Sequence, residues 1–210
     1  MLKKYAGQVA LFFDTETTGL PIDCAPASQQ PRVVQLAFVM GILPETADCE
    51  FEELTRFKSL CRLDDGIKIH SKAEEVHGIS TTKANRYGAG TSALRSFCDA
   101  AMRANVIVAH NIDFDKRLIL YWMDRLGWPH AGFRAKEEEC TQELMRDVCK
   151  LPPTERMLKA GRTGFKSPRL EEAHQHLFGE GLDGAHDALV DVDACKRVFI
   201  ELMMRELYGP

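Results

Sequence analysis

The sequence predicts an α/β fold. Strand-like and helix-like hydrophobic periods alternate along the chain, Gln8–Asp14 is apolar on both faces as only an interior strand is, and helical stripes of apolar residues recur through the second half.

Gln8–Asp14 contains the run from Val9 to Phe13 and reads as a central strand, with Arg32–Gly41 as its neighbour and a third strand over Glu50–Leu60. A helix over Ser92–Arg103 leads to a short strand at Asn105–Ala109. The 3.6-residue period then gives a helix at Ile112–Leu126, a second short strand falls near Lys136–Cys140, and helices follow over Thr141–Cys149, Arg169–Phe178 and Ala188–Leu207. Pro21–Pro31, with three prolines and no period, reads as a surface excursion, and the stretch 151–168 as a second loop. Candidate site residues run from 14 to 191 and no repeat is visible, so one domain over residues 1–210 is expected.

At 210 residues and 45% hydrophobic content the chain can bury a sizeable core. Seven scattered cysteines, no secretory leader and no apolar run of about 18 residues predict a reduced, soluble, cytoplasmic protein without a membrane span. A net charge of −4 argues against gripping long nucleic acid by a basic surface. It leaves a nuclease open, because two bound divalent ions would bring that formal balance to about zero.

Periodicity singles out particular acids. Residues two apart in a strand share a face, so Asp14 and Glu16 can present both carboxylates to one point, about 6–7 Å apart along the chain. They fall at the carboxyl end of the first strand, where ligand sites in open α/β sheets lie. On the helix from Ile112, Asp115 shares a stripe with Leu118, Ile119, Trp122 and Leu126, while Asp113 points away. On the last helix Asp191 shares one with Ala188, Cys195, Val198 and Leu202, while Asp193 lies off it. Inward carboxylates are costly when unpaired, and a shared metal site removes that cost. His186 and Asp191 would diverge if both were helical. The preceding Gly181-Leu182-Asp183-Gly184 puts His186 in the loop before the helix or at its very start, where it can act as a general base.

Singly, each feature has a plain structural reading: a solvated D-x-E pair, a helix-capping aspartate, a loop histidine. Together they form the layout of a two-metal phosphodiesterase, in which two ions about 3.5–4 Å apart neutralise the attacking and leaving oxygens. Hard oxygen ligands select Mg²⁺ or Mn²⁺. Zinc is not indicated, since no C-x-x-C occurs and His174 with His176 stands alone.

With their flanks, these residues resemble the DEDD-type 3′→5′ exonucleases, in the histidine-containing, DnaQ-like variant that includes bacterial proofreading exonucleases. Phe13-Asp14-Thr15-Glu16-Thr17-Thr18-Gly19-Leu20 is similar to the first motif of that family, Ala109-His110-Asn111-Ile112-Asp113-Phe114-Asp115 to the second, and His186-Asp187-Ala188-Leu189-Val190-Asp191 to the third, H-x-A-x-x-D. Val76-His77-Gly78-Ile79-Ser80 is a supporting match.

The resemblance implies an RNase H-like fold, a mixed five-stranded sheet flanked by helices. It implies that Asp14, Glu16 and Asp191 hold one metal, that Asp14 and Asp115 hold the other, and that His186 deprotonates the attacking water. The backbone from Thr15 through Thr17, Thr18, Gly19 and Leu20 would receive a 3′ end, Leu20 and His77 would wedge near the last bases, Phe114 would pack beside the site, and Asn111 would orient the second-motif loop. Two departures stand out: the Pro21–Pro31 connection is long for the family, and Gln35 stands where an acid is common. Methionine between Glu16 and the following threonine, a mark of oligoribonucleases, is absent.

Arg156, Lys159, Arg162, Lys166 and Arg169 form a candidate basic arm for the phosphate backbone. The expected activity is release of nucleoside monophosphates from DNA 3′ ends, preferably single-stranded, in DNA repair or proofreading. Action on RNA 3′ ends is the alternative. Association with a DNA polymerase or a sliding clamp is a weaker one, because little chain follows Asp191 and the clamp-like Gln175-His176-Leu177-Phe178 suits a helix core.

Overall fold

Nine residues, Val9–Thr17, form β1, the central strand of a five-stranded sheet in the computed structural model, which describes residues 2–209. β2 (Val33–Ile42) runs antiparallel to β1, and β3 (Glu52–Leu60) antiparallel to β2. Two seven-residue helices, α1 (Ser71–His77) and α2 (Thr81–Tyr87), precede α3 (Thr91–Arg103), which leads into β4 (Val106–Ala109). The chain continues through α4 (Ile112–Arg125) and the single turn α5 (Ala131–Arg134) to β5 (Glu137–Cys140). It ends with α6 (Thr141–Cys149), α7 (Glu155–Lys159), α8 (Leu170–Phe178) and α9 (Ala188–Tyr208). β4 and β5 lie parallel to β1, giving the order β3-β2-β1-β4-β5. This is the mixed, helix-flanked sheet expected from the sequence.

The alternation of β1 explains its apolar composition. Leu11 and Phe13 face one layer with Phe97 of α3 and Leu118 and Ile119 of α4, while Ala10 and Phe12 face the other with Val192, Cys195 and Phe199 of α9. Phe13 meets Phe97 at a ring separation of 5.1 Å, and Phe12 meets Phe199 edge-on at 5.6 Å. Each fully buried ring contributes about 1.5–3 kcal/mol, so both faces of β1 are anchored. The strand that carries the acids is therefore held from both sides.

β1 runs three residues beyond the expected Asp14, so Glu16 as well as Asp14 lies within the strand. The reason is pairing: β2 continues to match β1 through Thr17, with an irregularity between Glu16 and Thr17. On α4 the buried stripe is Ile112, Asp115, Leu118, Ile119 and Met123, and Leu126 turns out to solvent. The excursion 21–31 contains a 3₁₀ turn at Ala27–Gln29, and the loop 151–168 contains α7. Among the described residues no helix is long and apolar enough to cross a membrane.

Candidate active site

β4 pairs with β1 only over Ala10–Phe12, then ends at Ala109. Beyond Phe12, β1 therefore has no strand on that side. The chain leaves β4 through Asn111, whose φ of 71° makes the left-handed turn into α4 and delivers Asp115 to the uncovered edge. There the Thr15 N–H donates to Asp115 Oδ1 at 3.0 Å and the Thr15 hydroxyl donates to the same oxygen at 2.6 Å. Asp115 is 2% exposed, whereas Asp113 is on the solvent side.

Asp14 and Glu16 project to the other face of β1, the face covered by α9, because they keep the parity of Ala10 and Phe12. α9 brings Asp191. The Asp187 side chain caps that helix by accepting from the Leu189 N–H at 3.1 Å, and its other oxygen is paired with Lys58. The backbone turns at His186, with φ of 68°, and the His186 N–H donates to Asp191 Oδ2 at 3.1 Å. Gln35, opposite Glu16 in the β1–β2 ladder, accepts from the Ala188 N–H at 2.9 Å. One ligand atom each of Glu16, His186 and Asp191 lie within 4.8 Å of one another. His186 thus occupies the loop before the helix.

The electrostatics of the cluster are those of crowded acids. Burial, then Asp115, Asp191, Glu16 and Asp187, hold the Asp14 carboxyl well above the usual carboxylate range. Glu16 is pushed up to about 8 by burial and then by Asp191, Asp115 and Asp187. Burial raises Asp115 to about 7 against the pull of the Thr15 hydrogen bonds, and raises Asp191 to about 6 against the His186 N–H. Among the described residues no lysine or arginine forms an ion pair with any of the four. A divalent cation is the chemical complement of such a set. Asp193, in contrast, is bound to Arg56 and Lys196.

A groove of about 990 Å³ runs from Glu16 and is lined by Thr15, Thr17, Thr18, Gly19, Leu20, His77 and Phe114. The Thr17 hydroxyl donates to the Gly19 carbonyl at 2.7 Å, and the Thr18 N–H donates to the Arg32 carbonyl at 2.8 Å, fixing the strand exit. His77 Nδ1 accepts from the Ile79 N–H, so Nε2 carries the proton and donates to the Thr17 carbonyl at 3.2 Å. Burial lowers the pKa of His77, which favours this neutral form. Leu20 is 80% exposed, standing free at the mouth of the groove. Asn111 does not line the groove; it borders a separate recess with Asp113, Glu138 and Glu139.

The groove also contains Val76, from the supporting motif, and residues that sequence reasoning passed over: Ile22, Gln30, Lys68, His70 and Lys72. The only signal for Lys68 and Lys72 was their place just upstream of the His77 motif. The basic segment 156–169 does not line the groove; Lys166 is tied to Glu172, and Lys159 lies near Glu155.

The sequence pattern of the exonuclease family RNase_T matches residues 11–199. No curated protein gives a significant sequence match. Among solved structures, E. coli exonuclease I in complex with a dT13 oligonucleotide superposes with a TM-score of 0.71 at 21% identity, over 96% of this chain and 42% of that one. Its complex with a dA16 oligonucleotide gives 0.69 at 20%, over 95% and 41%. The zinc-bound form of its complex with single-stranded DNA gives 0.68 at 20%, over 97% and 41%. The chain thus spans about two fifths of the length of those proteins, and the likeness is one of fold.

Proposed function

Because the chain belongs to the exonuclease family, and with it to the hydrolytic, DnaQ-like 3′→5′ exonucleases of the DEDD type, we propose that it removes nucleoside monophosphates one at a time from single-stranded DNA 3′ ends with the help of two Mg²⁺ or Mn²⁺ ions. The observation that carries this is the convergence of Asp14, Asp115, Asp191 and His186 around Glu16, which itself lines the groove, without a lysine or arginine among the described residues paired to any of the acids. The hard oxygens of the four acids suit Mg²⁺ or Mn²⁺. Asp14, Glu16 and Asp191 would hold one ion, and Asp14 with Asp115 the other. When bound, such ions supply charge neutralisation at the attacking and leaving oxygens.

The protein's own groups supply the rest. His186, solvent-facing on its left-handed turn and fastened to Asp191 through its N–H, takes the proton of a water aimed at the scissile phosphorus. Attack forms the new P–O bond, the bond to the 3′ oxygen of the preceding sugar breaks, and the products are a nucleoside 5′-monophosphate and a strand shorter by one residue. The backbone from Thr15 to Leu20 guides the terminal nucleotide, and the neutral His77 keeps that segment in place. The oligonucleotides dT13 and dA16 held by the structural neighbours support single-stranded DNA as the substrate.

Digestion of 5′-labelled single-stranded DNA and of RNA of the same sequence, with Mg²⁺ or Mn²⁺ and with or without EDTA, tests the reading. A metal-dependent ladder on DNA that His186→Ala abolishes is the expected result. A ladder on RNA alone would move the substrate to RNA, and none on either would overturn the assignment.

A further inference from the structure

The connection 21–31 between β1 and β2 is built as a wall. Gln30 is 1% exposed, and its side-chain amide directs every hydrogen bond to the loop itself: Oε1 accepts from the Ile22 N–H at 3.0 Å, and Nε2 donates to the Ile22 carbonyl at 2.7 Å and to the Ala25 carbonyl at 2.8 Å. Both backbone groups of Ile22 are thus held by one amide, as a strand partner would hold them. Two arginines fasten the rest. Arg32, itself bound to Asp64, donates to the carbonyls of Ser28 and Gln30, and Arg125 of α4 donates to the Ala27 carbonyl at 3.1 Å. Ordering a loop this thoroughly costs conformational entropy. A merely tolerated surface excursion has no such anchoring.

What this scaffold presents is an apolar side chain kept out of the core. Ile22 is 54% exposed and shares the groove with Leu20, with Val76 at 53% exposed, and with Phe114. Several large apolar side chains exposed in one concavity mark a ligand-binding surface rather than chance. Lys68 and Lys72 border the same groove, are exposed, and form no ion pair among the described residues. Apolar walls with a cationic border suit a flexible polyanion whose bases are unstacked and free to lie on hydrocarbon, which is a single strand. A duplex keeps its base faces stacked inside and offers none to such walls.

Resting on the exonuclease reading above, we propose that Ile22, positioned by Gln30, grips the unpaired bases next to the 3′ terminus and biases the site toward single strands. Ile22→Ala should raise KM for a labelled dT oligonucleotide about five- to tenfold, because it trims a branched apolar side chain that the bound strand would partly bury. The effect should fall on KM rather than kcat, and the preference for single-stranded over blunt duplex ends should shrink. Gln30→Ala should give the same split, Gln30→Glu, which keeps only the acceptor, should fall between, and the Ile22→Ala/Gln30→Ala double variant should be no worse than the worse single one. Met102→Ala, which trims an equally exposed apolar residue of α3 outside the groove, serves as the control and should match the unmodified protein.

Unchanged KM in Ile22→Ala, or effects of the two variants that add, would overturn the proposal. Fluorescence anisotropy with the same oligonucleotide separates this from failure of the exonuclease reading. If the unmodified protein yields no ladder, that reading falls, yet a five- to tenfold weaker Kd in Ile22→Ala would still support the grip on the bases and an unchanged one would reject it.

Discussion

Thr15 directs both of its donors, backbone N–H and hydroxyl, to a single oxygen of Asp115. β1 thus uses the gap left by the end of β4 to bind a carboxylate where a strand would otherwise sit. Hydrogen bonds to the ionised form favour it, and without them burial would push Asp115 further above about 7. Thr15→Val removes the hydroxyl while preserving shape; a hydrogen bond to a charged group contributes about 1.5–3 kcal/mol. Weaker Mn²⁺ binding by calorimetry and a lower melting temperature are expected, with Thr15→Ser close to the unmodified protein.

Asp14 and Asp191 stand in the cluster, Asp113 and Asp193 outside it. Asp14→Ala and Asp191→Ala should lower the rate by about a thousandfold or more, several kcal/mol of transition-state stabilisation, while circular dichroism stays native. Asp113→Ala and Asp193→Ala should stay within about threefold, since ion pairs such as Arg56–Asp193 contribute about 0–1 kcal/mol at a surface. Robust activity in Asp14→Ala would remove the basis for the metal assignment.

The pH dependence of the metal-free protein follows from the raised acids. Asp115 and Asp191 start from 3.8 and Glu16 from 4.5, and in the fold they reach about 7, 6 and 8. The folded state then holds the extra protons, so stability from these groups is fully present below about pH 4 and is lost as pH rises through about 6 to 8. In EDTA the melting temperature should fall between pH 5 and 8.5, less steeply in Glu16→Gln. Mn²⁺ should restore more at pH 8.5 than at pH 5, because protons compete with the ion for the same oxygens. A melting temperature that climbs across this range in EDTA would contradict the burial of the cluster.

His186 sits at a positive φ, where asparagine is better tolerated than alanine. His186→Asn removes the base with less backbone strain than His186→Ala. A drop of about 10²–10⁴ in kcat is expected for a missing general base, with Mn²⁺ affinity changing less than in Asp191→Ala. An Asn variant as active as the parent would exclude His186 as the base.

Gln35 caps the start of α9 from a neighbouring strand. Gln35→Ala leaves the buried Ala188 N–H without its acceptor, at about 1–3 kcal/mol, and frees the turn that carries His186. A lower melting temperature together with reduced kcat should follow, and Gln35→Glu, which retains an accepting oxygen, should recover most of both. An Ala variant with unchanged melting would show that this hydrogen bond does not hold the helix.

The sheet and its long helices were legible because their periods are strong: α6 begins and ends where its pattern does, and α9 departs from its reading by one residue. Asp115 against Asp113 was readable from a stripe alone. The short strands β4 and β5 were legible too, but the short helices α1, α2, α5 and α7 were not. α1 spans seven residues and is capped by a histidine, His70, an unusual capping residue that gives no start signal. The wall at 21–31 was read as surface because its anchors are distant in sequence: Gln30 reaches back eight residues and Arg125 reaches across ninety-eight. Long-range hydrogen bonds of this kind leave no period behind.

The cluster joins β1, near one end of the chain, to α9, near the other. At a synthesis rate of ~5–20 residues per second, Asp191 emerges from the ribosome on the order of ten seconds or more after Asp14. Until α9 docks on Phe12, Asp14 and Glu16 of β1 lack Asp191 and His186, so a nascent chain carries only part of the proposed site. Under the exonuclease reading proposed above, α9 is thus also a safety catch, and cutting power waits until that helix docks.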